Sequence, residues 1–126
     1  MASVFSQIVA GVIPCYKVYE DERVLGFLDI HPETKGHVLM IPKVEVDKIY
    51  DLEEADFEAL MRAVKKMSVH MEKVLGVRIL WKVIGTDVSH AHVHLMPLDE
   101  NWEYGRTLDL TEEEMEEVRR KLSLVG

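Results

Sequence analysis

The sequence lacks most of the features that mark secreted and membrane proteins. Its 126 residues include a single cysteine, Cys15, which excludes an internal disulfide and a multi-cysteine metal cluster. No apolar run approaches the ~20 residues that a transmembrane helix needs. The apolar segment 8–13 is too short for a signal peptide and no positive region precedes it. These absences predict a cytoplasmic protein with no membrane partner.

Basic residues are also in the minority. There are 15 lysines and arginines against 23 aspartates and glutamates, which gives a net charge of −8 at pH 7. Because nucleic-acid binding needs a basic surface, no stable nucleic-acid partner is expected. The contents of 48% hydrophobic and 30% charged residues are typical of a globular chain. The length predicts one domain over residues 1–126, large enough to bury a core.

The pattern of apolar residues predicts the element order α-β-β-β-α-β-β-α. Segments with apolar alternation or short apolar runs are typical of strands, and the early ones are joined by hairpin-length connections. The predicted strands cover residues 16–19, 23–30, 37–42, 77–84 and 91–96. This order predicts an α+β fold in which an antiparallel five-stranded sheet carries one long helix, a short N-terminal helix and a C-terminal helix.

Capping signals place the ends of the helices. Ser3 is a candidate N-cap for the first helix, and Asp51 with Glu54 has the form of a capping box before the long second helix. That helix has one apolar stripe from Phe57 to Leu75, whose methionines are expected to fill the core. A Thr-x-x-Glu capping box at 111–114 begins a C-terminal helical extension over about residues 110–124.

Three histidines alternate along the segment 89–97, at positions 90, 92 and 94. This alternation predicts a strand on which His90, His92 and His94 share one face, with neighbours roughly 6–7 Å apart. Such a row can supply a nucleophile near pH 7, proton donors and acceptors, or metal ligands. Two interpretations of this row are a strand whose histidines are simply solvated and a metal hydrolase that uses all three. The outer two would lie roughly 13 Å apart, which makes a poor tetrahedral cage.

Four segments of the chain resemble the motifs of the histidine-triad (HIT) family, in the family's order. They are FSQIVAGVIP at 5–14, GFLDIHP at 26–32, GHVLMIPK at 36–43 and GTDVSHAHVHLMP at 85–97. The resemblance implies a HIT-like fold and points to the Hint-like branch. That branch consists of small homodimers that bind purine nucleotides and hydrolyse nucleotidyl esters or phosphoramidates, and no cofactor is expected for this chain. The alternative is a nucleotide-binding regulatory module with only incidental hydrolysis.

The resemblance also implies the catalytic residues. His92 matches the nucleophile, which attacks the phosphorus of a nucleoside 5′-monophosphate derivative and forms a nucleotidyl-histidine that water then cleaves. His94 matches a contact to the phosphate. His90 and His37 match supporting positions that orient the site or hold the loop around it.

The resemblance further implies a nucleotide-binding pocket. The positions that match residues around the nucleobase are Phe5, Ile8, Phe27 and Ile30. Asp29 matches the carboxylate that accepts hydrogen bonds from the ribose hydroxyls. Gly85 and Thr86, in the loop before the triad, are also expected beside the nucleotide. Without the resemblance, core packing and a turn cap would explain the apolar residues and Asp29.

The sequence departs from the family's pattern in three respects. Many relatives build a zinc site from two cysteines and two histidines, whereas Ser3, Ser6 and Glu45 accompany His90 here, so no metal is expected. The loop before the triad is short and lacks the family's asparagine. Thr86 stands where the family often has glutamine, and it is followed by Asp87, whose charge would be unfavourable near a phosphate unless the side chain points away.

The long helix also predicts self-association. Its apolar stripe is wider than one face of a small sheet can cover, so part of it needs another partner. A two-fold homodimer in which this helix and the strand at 77–84 meet their copies would cover it.

Overall fold

Five short strands form one antiparallel sheet at the centre of the computed structural model, which describes residues 3–103 and 105–125. The strands are β1 (Lys17–Glu20), β2 (Val24–Leu28), β3 (Val38–Pro42), β4 (Ile79–Lys82) and β5 (Val93–Pro97). The helices are α1 (Val4–Val9), α2 (Glu54–Leu75) and α3 (Glu112–Leu122), with a 3-10 turn at Ile49–Asp51. The strand order is β1-β2-β3-β5-β4 and every neighbouring pair is antiparallel. The predicted fold class and element order are therefore confirmed.

The triad strand is shorter than predicted. β5 begins at Val93 rather than at residue 91, so His90 and His92 precede the strand. The backbone N–H of Ala91 donates instead to the carbonyl of Val46, at 2.7 Å, which keeps this part of the chain out of the ladder. Within the ladder, His94 lies opposite Leu39 of β3.

Local capping explains where the helices begin. The Ser3 hydroxyl accepts from the backbone N–H of Ser6, and both bonds of the capping box between Thr111 and Glu114 are present. The capping box predicted at Asp51 is wrong. Asp51 belongs to the 3-10 turn before α2, and that helix begins at residue 54 without any side-chain cap. Gly76 ends α2 in the left-handed conformation, at φ 72°.

The two faces of the sheet pack different clusters of apolar residues. Val38 and Met40 of β3 point into the main core beneath α2 and α3, whereas Leu39 and Ile41 point to the other face. The side chains of α2 that fill the main core are Leu60, Ala63, Val64, Met67 and Met71, as the methionine pattern predicts. The alternation of β-strand side chains therefore separates a core face from a second face, which α1 covers.

The apolar stripe of α2 is only partly covered. Phe57, its predicted first residue, is 41% exposed, so the stripe enters the main core only from Leu60 onward.

Among residues 3–103 and 105–125, no helix combines the length and the apolar character needed to cross a membrane.

Candidate active site

A cavity of about 340 Å³ opens on the sheet face that α1 covers. Its volume lies within the range of small-molecule sites, at the lower end. The residues predicted from the sequence that line it are Phe5, Ile8, Phe27, Asp29, Ile30, His92 and His94. The structure therefore brings seven of the eleven predicted site residues to one cavity.

Aromatic contacts fix α1 over the triad. The buried Phe5 ring of α1 meets the Phe27 ring edge to face, with ring centroids 5.6 Å apart. It also meets the His92 ring, at 5.1 Å and an interplanar angle of 86°. Edge-to-face pairs of this kind are favourable beyond the area they bury. Ile30, in contrast, is 68% exposed at the rim, where a bound ligand would cover it.

A backbone hydrogen bond selects the tautomer of His92. Its Nδ1 lies 2.6 Å from the carbonyl oxygen of His90, and because a carbonyl only accepts, Nδ1 carries the proton. In the neutral ring Nε2 then has the lone pair. The side chain is 1% exposed, so few alternative orientations are open to it. His92 therefore presents a lone pair at Nε2, which is able to act as a nucleophile or a base.

A chain of hydrogen bonds selects the tautomer of His94. The backbone N–H of Glu33 donates to Nδ1 of His37, at 3.0 Å, so the proton of a neutral His37 is on Nε2. That Nε2–H donates to Nδ1 of His94, at 2.8 Å. His94 must therefore carry its own proton on Nε2, where it can donate to an anionic ligand. We call this hydrogen-bonded series, from the Glu33 N–H through His37 to His94, the tautomer chain.

Burial keeps both imidazoles of the tautomer chain neutral. Loss of solvation lowers the pKa of His37 and the pKa of His94 to about 4 each, because a charged ring would lose its hydration. Gly36, which precedes His37, stands where a side chain would be strained. Its φ of 97° is left-handed, and a side chain there would meet Pro97 at 3.1 Å.

Asp29 caps a turn, as expected without the resemblance, and it also lines the cavity. Its Oδ1 accepts from the backbone N–H of His31, at 2.8 Å, while Oδ2 lies 3.6 Å from Nε2 of His37. The donor atoms of Asp29, His37 and His94 all lie within 4.8 Å of one another, a spacing that suits a metal ion. A metal would have to displace the proton from His37 Nε2 and so break the tautomer chain. This group is better suited to hydrogen bonding.

Asp87 points towards His92 rather than away from it. Its Oδ1 lies 3.6 Å from Nε2 of His92, and the side chain is 70% exposed. The other predicted loop residues lie farther out: Gly85 lines neither this cavity nor its neighbour, and Thr86 lines only the neighbour. The loop thus places a carboxylate beside the lone pair of His92.

A second, more polar cavity of about 330 Å³ adjoins the first. The residues that line both are Asp29, His31, Asp87 and His94. In the second cavity Lys82 forms an ion pair with the buried Glu33, whose other oxygen accepts from the indole N–H of Trp102. Burial raises the pKa of Glu33, but Lys82 and Trp102 outweigh it and hold the pKa below its ordinary value. Sequence reasoning missed Lys82, although a lysine at the end of an apolar strand was a usable signal.

His90 anchors α1 through the positions at which the family resemblance implies zinc ligands. Its Nε2–H donates to the carbonyl of Pro42, at 2.8 Å, so Nδ1 accepts from the Ser3 hydroxyl at 3.0 Å. The Ser6 hydroxyl donates to Glu45, at 2.7 Å. The backbone N–H of Ser3 and this hydroxyl lower the pKa of Glu45 to about 2. Serine hydroxyls are not zinc ligands of the usual set, so these residues do not fit a structural zinc ion.

Comparison with known sequences points to one family. The HIT-domain family model matches residues 10–101. One relative is the adenosine 5′-monophosphoramidase hnt1 of Schizosaccharomyces pombe. It is 36% identical over 107 residues, which cover 83% of this chain and 80% of the relative.

Solved structures of the same family share the fold. A HIT-like protein from Bartonella henselae, described as involved in cell-cycle regulation, superposes with a TM-score of 0.85. It is 28% identical, and the match covers 95% of this chain and 92% of that one. A zinc-bound histidine-triad protein from Mycobacterium smegmatis superposes with a TM-score of 0.82. It is 27% identical, and the match covers 97% and 94% of the two chains.

Proposed function

The chain belongs to the HIT-domain family, and on this premise we propose that it is a hydrolase of nucleoside 5′-monophosphate derivatives, either phosphoramidates or nucleotidyl esters. The observation that carries the proposal is the pair of tautomers in the cavity. His92 presents a lone pair at Nε2, and the adjacent His94 presents an N–H donor, with ring centroids 5.0 Å apart. A nucleophile beside a donor for the phosphate oxygens is what nucleotidyl transfer needs.

The reaction proceeds in two steps through His92. Nε2 attacks the α-phosphorus, and the bond from phosphorus to the leaving group breaks opposite to it. The leaving group departs with the electron pair of that bond and takes a proton from solvent. Water then attacks the phosphorus, the electron pair of the N–P bond returns to Nε2, and the nucleoside monophosphate is released with one proton lost to solvent. The donor on His94 stabilises the charge on the phosphate oxygens in both steps.

The cavity walls fit a nucleoside. Phe5 and Phe27 offer apolar aromatic surface to a nucleobase, and Ile30 at the rim would be covered by it. Asp29 lines the cavity, and its carboxylate can accept from two adjacent ribose hydroxyls. A purine is the base that we propose, supported by the relative whose name specifies adenosine 5′-monophosphate.

The proposed enzyme is tested by replacing the nucleophile. A set of adenosine phosphoramidates and dinucleotides is incubated with the wild-type protein, and release of nucleoside monophosphate is measured. His92→Asn keeps a polar side chain but removes the attacking nitrogen, so turnover should fall by several orders of magnitude. Affinity for the monophosphate should change by no more than roughly tenfold, about 1.4 kcal/mol. His70→Asn, on α2 beneath the other sheet face, is the matched control and should keep turnover.

The covalent step has its own signature. Brief acid quenching of wild-type reactions with substrate labelled on phosphorus should leave label on the protein through an acid-labile P–N bond. Near-normal turnover by His92→Asn would show that this histidine only binds. Nucleotide binding with no detectable turnover by the wild-type protein would favour the regulatory module, for which the carboxylate of Asp87 beside the nucleophile is the supporting observation.

We also propose that the protein acts as a homodimer through β4 and α2. Within the part of the chain that the structure describes, β4 pairs only with β5, so its other edge is available for a second strand. Trp81 on β4 is 50% exposed and donates to Ser68 of α2, which joins the two elements into one surface; Val69 and Val83 extend it. Sedimentation at micromolar concentration should show a dimer, and Trp81→Glu should shift it towards monomer. A wild-type species at 14.5 kDa would contradict this.

A further inference from the structure

The carboxylate of Asp87 stands where the two cavities meet. It lines both of them, and its Oδ1 lies 3.6 Å from the Nε2 atom with which His92 would attack phosphorus. In the first cavity, apolar walls and Asp29 surround the space that suits a nucleoside. The leaving group departs opposite to Nε2, so Asp87 comes beside it through its place in the lining of the second cavity, into which the departing part of the substrate would extend.

In the second cavity, little positive charge is left to offset the repulsion between the Asp87 carboxylate and an anionic leaving group. Its cations among the described lining residues are Lys82 and Arg106, and each already has a carboxylate partner. Lys82 pairs with Glu33, and Arg106 pairs with Asp99 at 2.8 Å. The guanidinium also donates to the carbonyl of Glu33, at 2.8 Å. A chain of phosphates placed here would meet Asp87 beside cations that are already neutralised.

We propose that Asp87 determines the leaving group, selecting amines over phosphates; this rests on the proposed hydrolase function. The nitrogen of a phosphoramidate carries an N–H that can donate to the carboxylate. The bridging oxygen of a phosphoanhydride has no hydrogen, and the phosphates beyond it repel the carboxylate. The preferred substrate class is then a nucleoside 5′-phosphoramidate of a primary amine, and dinucleoside polyphosphates are disfavoured.

Selectivity between two leaving groups measures the effect of Asp87 directly. The ratio of kcat/KM for adenosine 5′-N-methylphosphoramidate to that for diadenosine triphosphate is determined for the wild-type protein, Asp87→Asn and Asp109→Asn. Because Asp87 is exposed, solvent screening keeps the expected effect modest, a fall in the ratio of roughly five- to tenfold in Asp87→Asn. Asp109→Asn, a surface carboxylate that lines neither cavity, should leave the ratio unchanged.

Equilibrium binding separates this inference from the proposed function. In the His92→Asn background, which removes turnover, affinities for ADP and adenosine are compared with and without Asp87→Asn. Removing the carboxylate should tighten ADP roughly fivefold and leave adenosine within about twofold. A wild-type protein that hydrolyses neither substrate would refute the hydrolase, and the binding ratio alone would then decide the role of Asp87. Unchanged ratios in Asp87→Asn, in kinetics or in binding, would overturn the inference.

Discussion

The tautomer chain predicts that His37 controls His94 without touching the substrate. His37→Asn keeps an oxygen near the position of Nδ1, able to accept from the backbone N–H of Glu33, but the shorter side chain no longer reaches His94. Nδ1 of His94 then loses its donor, and the ring is free to carry its proton on either nitrogen. His37→Gln is the complementary variant, because its amide N–H extends towards His94 while the Glu33 N–H loses its acceptor.

The size of the effect follows from one buried hydrogen bond. Leaving a buried polar atom without its partner costs about 1–3 kcal/mol. If the Nε2–H of His94 is needed in the transition state, kcat/KM of His37→Asn should fall roughly five- to 150-fold. His37→Gln should recover part of that loss.

The tautomer itself can be observed by nitrogen-15 NMR of the imidazole rings. In the wild-type protein, His94 should give a protonated signal at Nε2 and an unprotonated one at Nδ1. His37→Asn should show averaged signals from the two tautomers. A spectrum of His94 unchanged in His37→Asn, together with kcat/KM within twofold of wild type, would refute the tautomer chain.

Further predictions concern stability and metal. Because burial lowers the pKa of His37 and His94 to about 4, the unfolded chain binds more protons than the folded one below pH 6.5. The free energy of unfolding in urea should therefore fall by roughly 2–4 kcal/mol from pH 7.5 to 5; a flat profile would contradict this. Purified protein should contain no stoichiometric zinc and keep its activity in EDTA, and Glu45→Gln should lower the melting temperature by loosening α1. Activity that is lost in EDTA and restored only by zinc would contradict the expectation that the protein needs no zinc. Gly26→Ala should destabilise by about 1–3 kcal/mol in denaturant titration, because a Cβ would lie 2.6 Å from Met40 Sδ.

Short-range signals carried most of the fold prediction. The apolar run at 37–42 predicts the strand β3, and the capping box at Thr111 marks the start of α3 correctly. Strand ends were harder to predict because they depend on partners distant in sequence. β5 starts late because the Ala91 N–H bonds to Val46, and no local pattern reveals that contact.

The candidate site likewise has features that the sequence predicts and features that depend on distant parts of the chain. The resemblance to the HIT motifs implies the nucleophile, which the spacing of the histidines alone leaves open, and seven predicted residues do line one cavity. The tautomers of His92 and His94 could not be predicted, because they depend on a backbone carbonyl and on the N–H of Glu33. Nor could the direction of Asp87, since a loop side chain can point either way until the loop is built. Whether these residues perform the chemistry stays a prediction.

The separation of the sheet into two faces has a consequence for how this protein can change. Val38 and Met40 belong to the main core, while the residue between them, Leu39, belongs to the cluster beside the cavity. Substitutions on the cavity face therefore leave the helices on the other face and their contacts in place, and effects at well-separated sites add. The cavity can therefore accept new specificities by single substitutions while the helices packed on the opposite face keep their contacts. Loss of function and loss of folding should accordingly be separable in a mutational scan of β3.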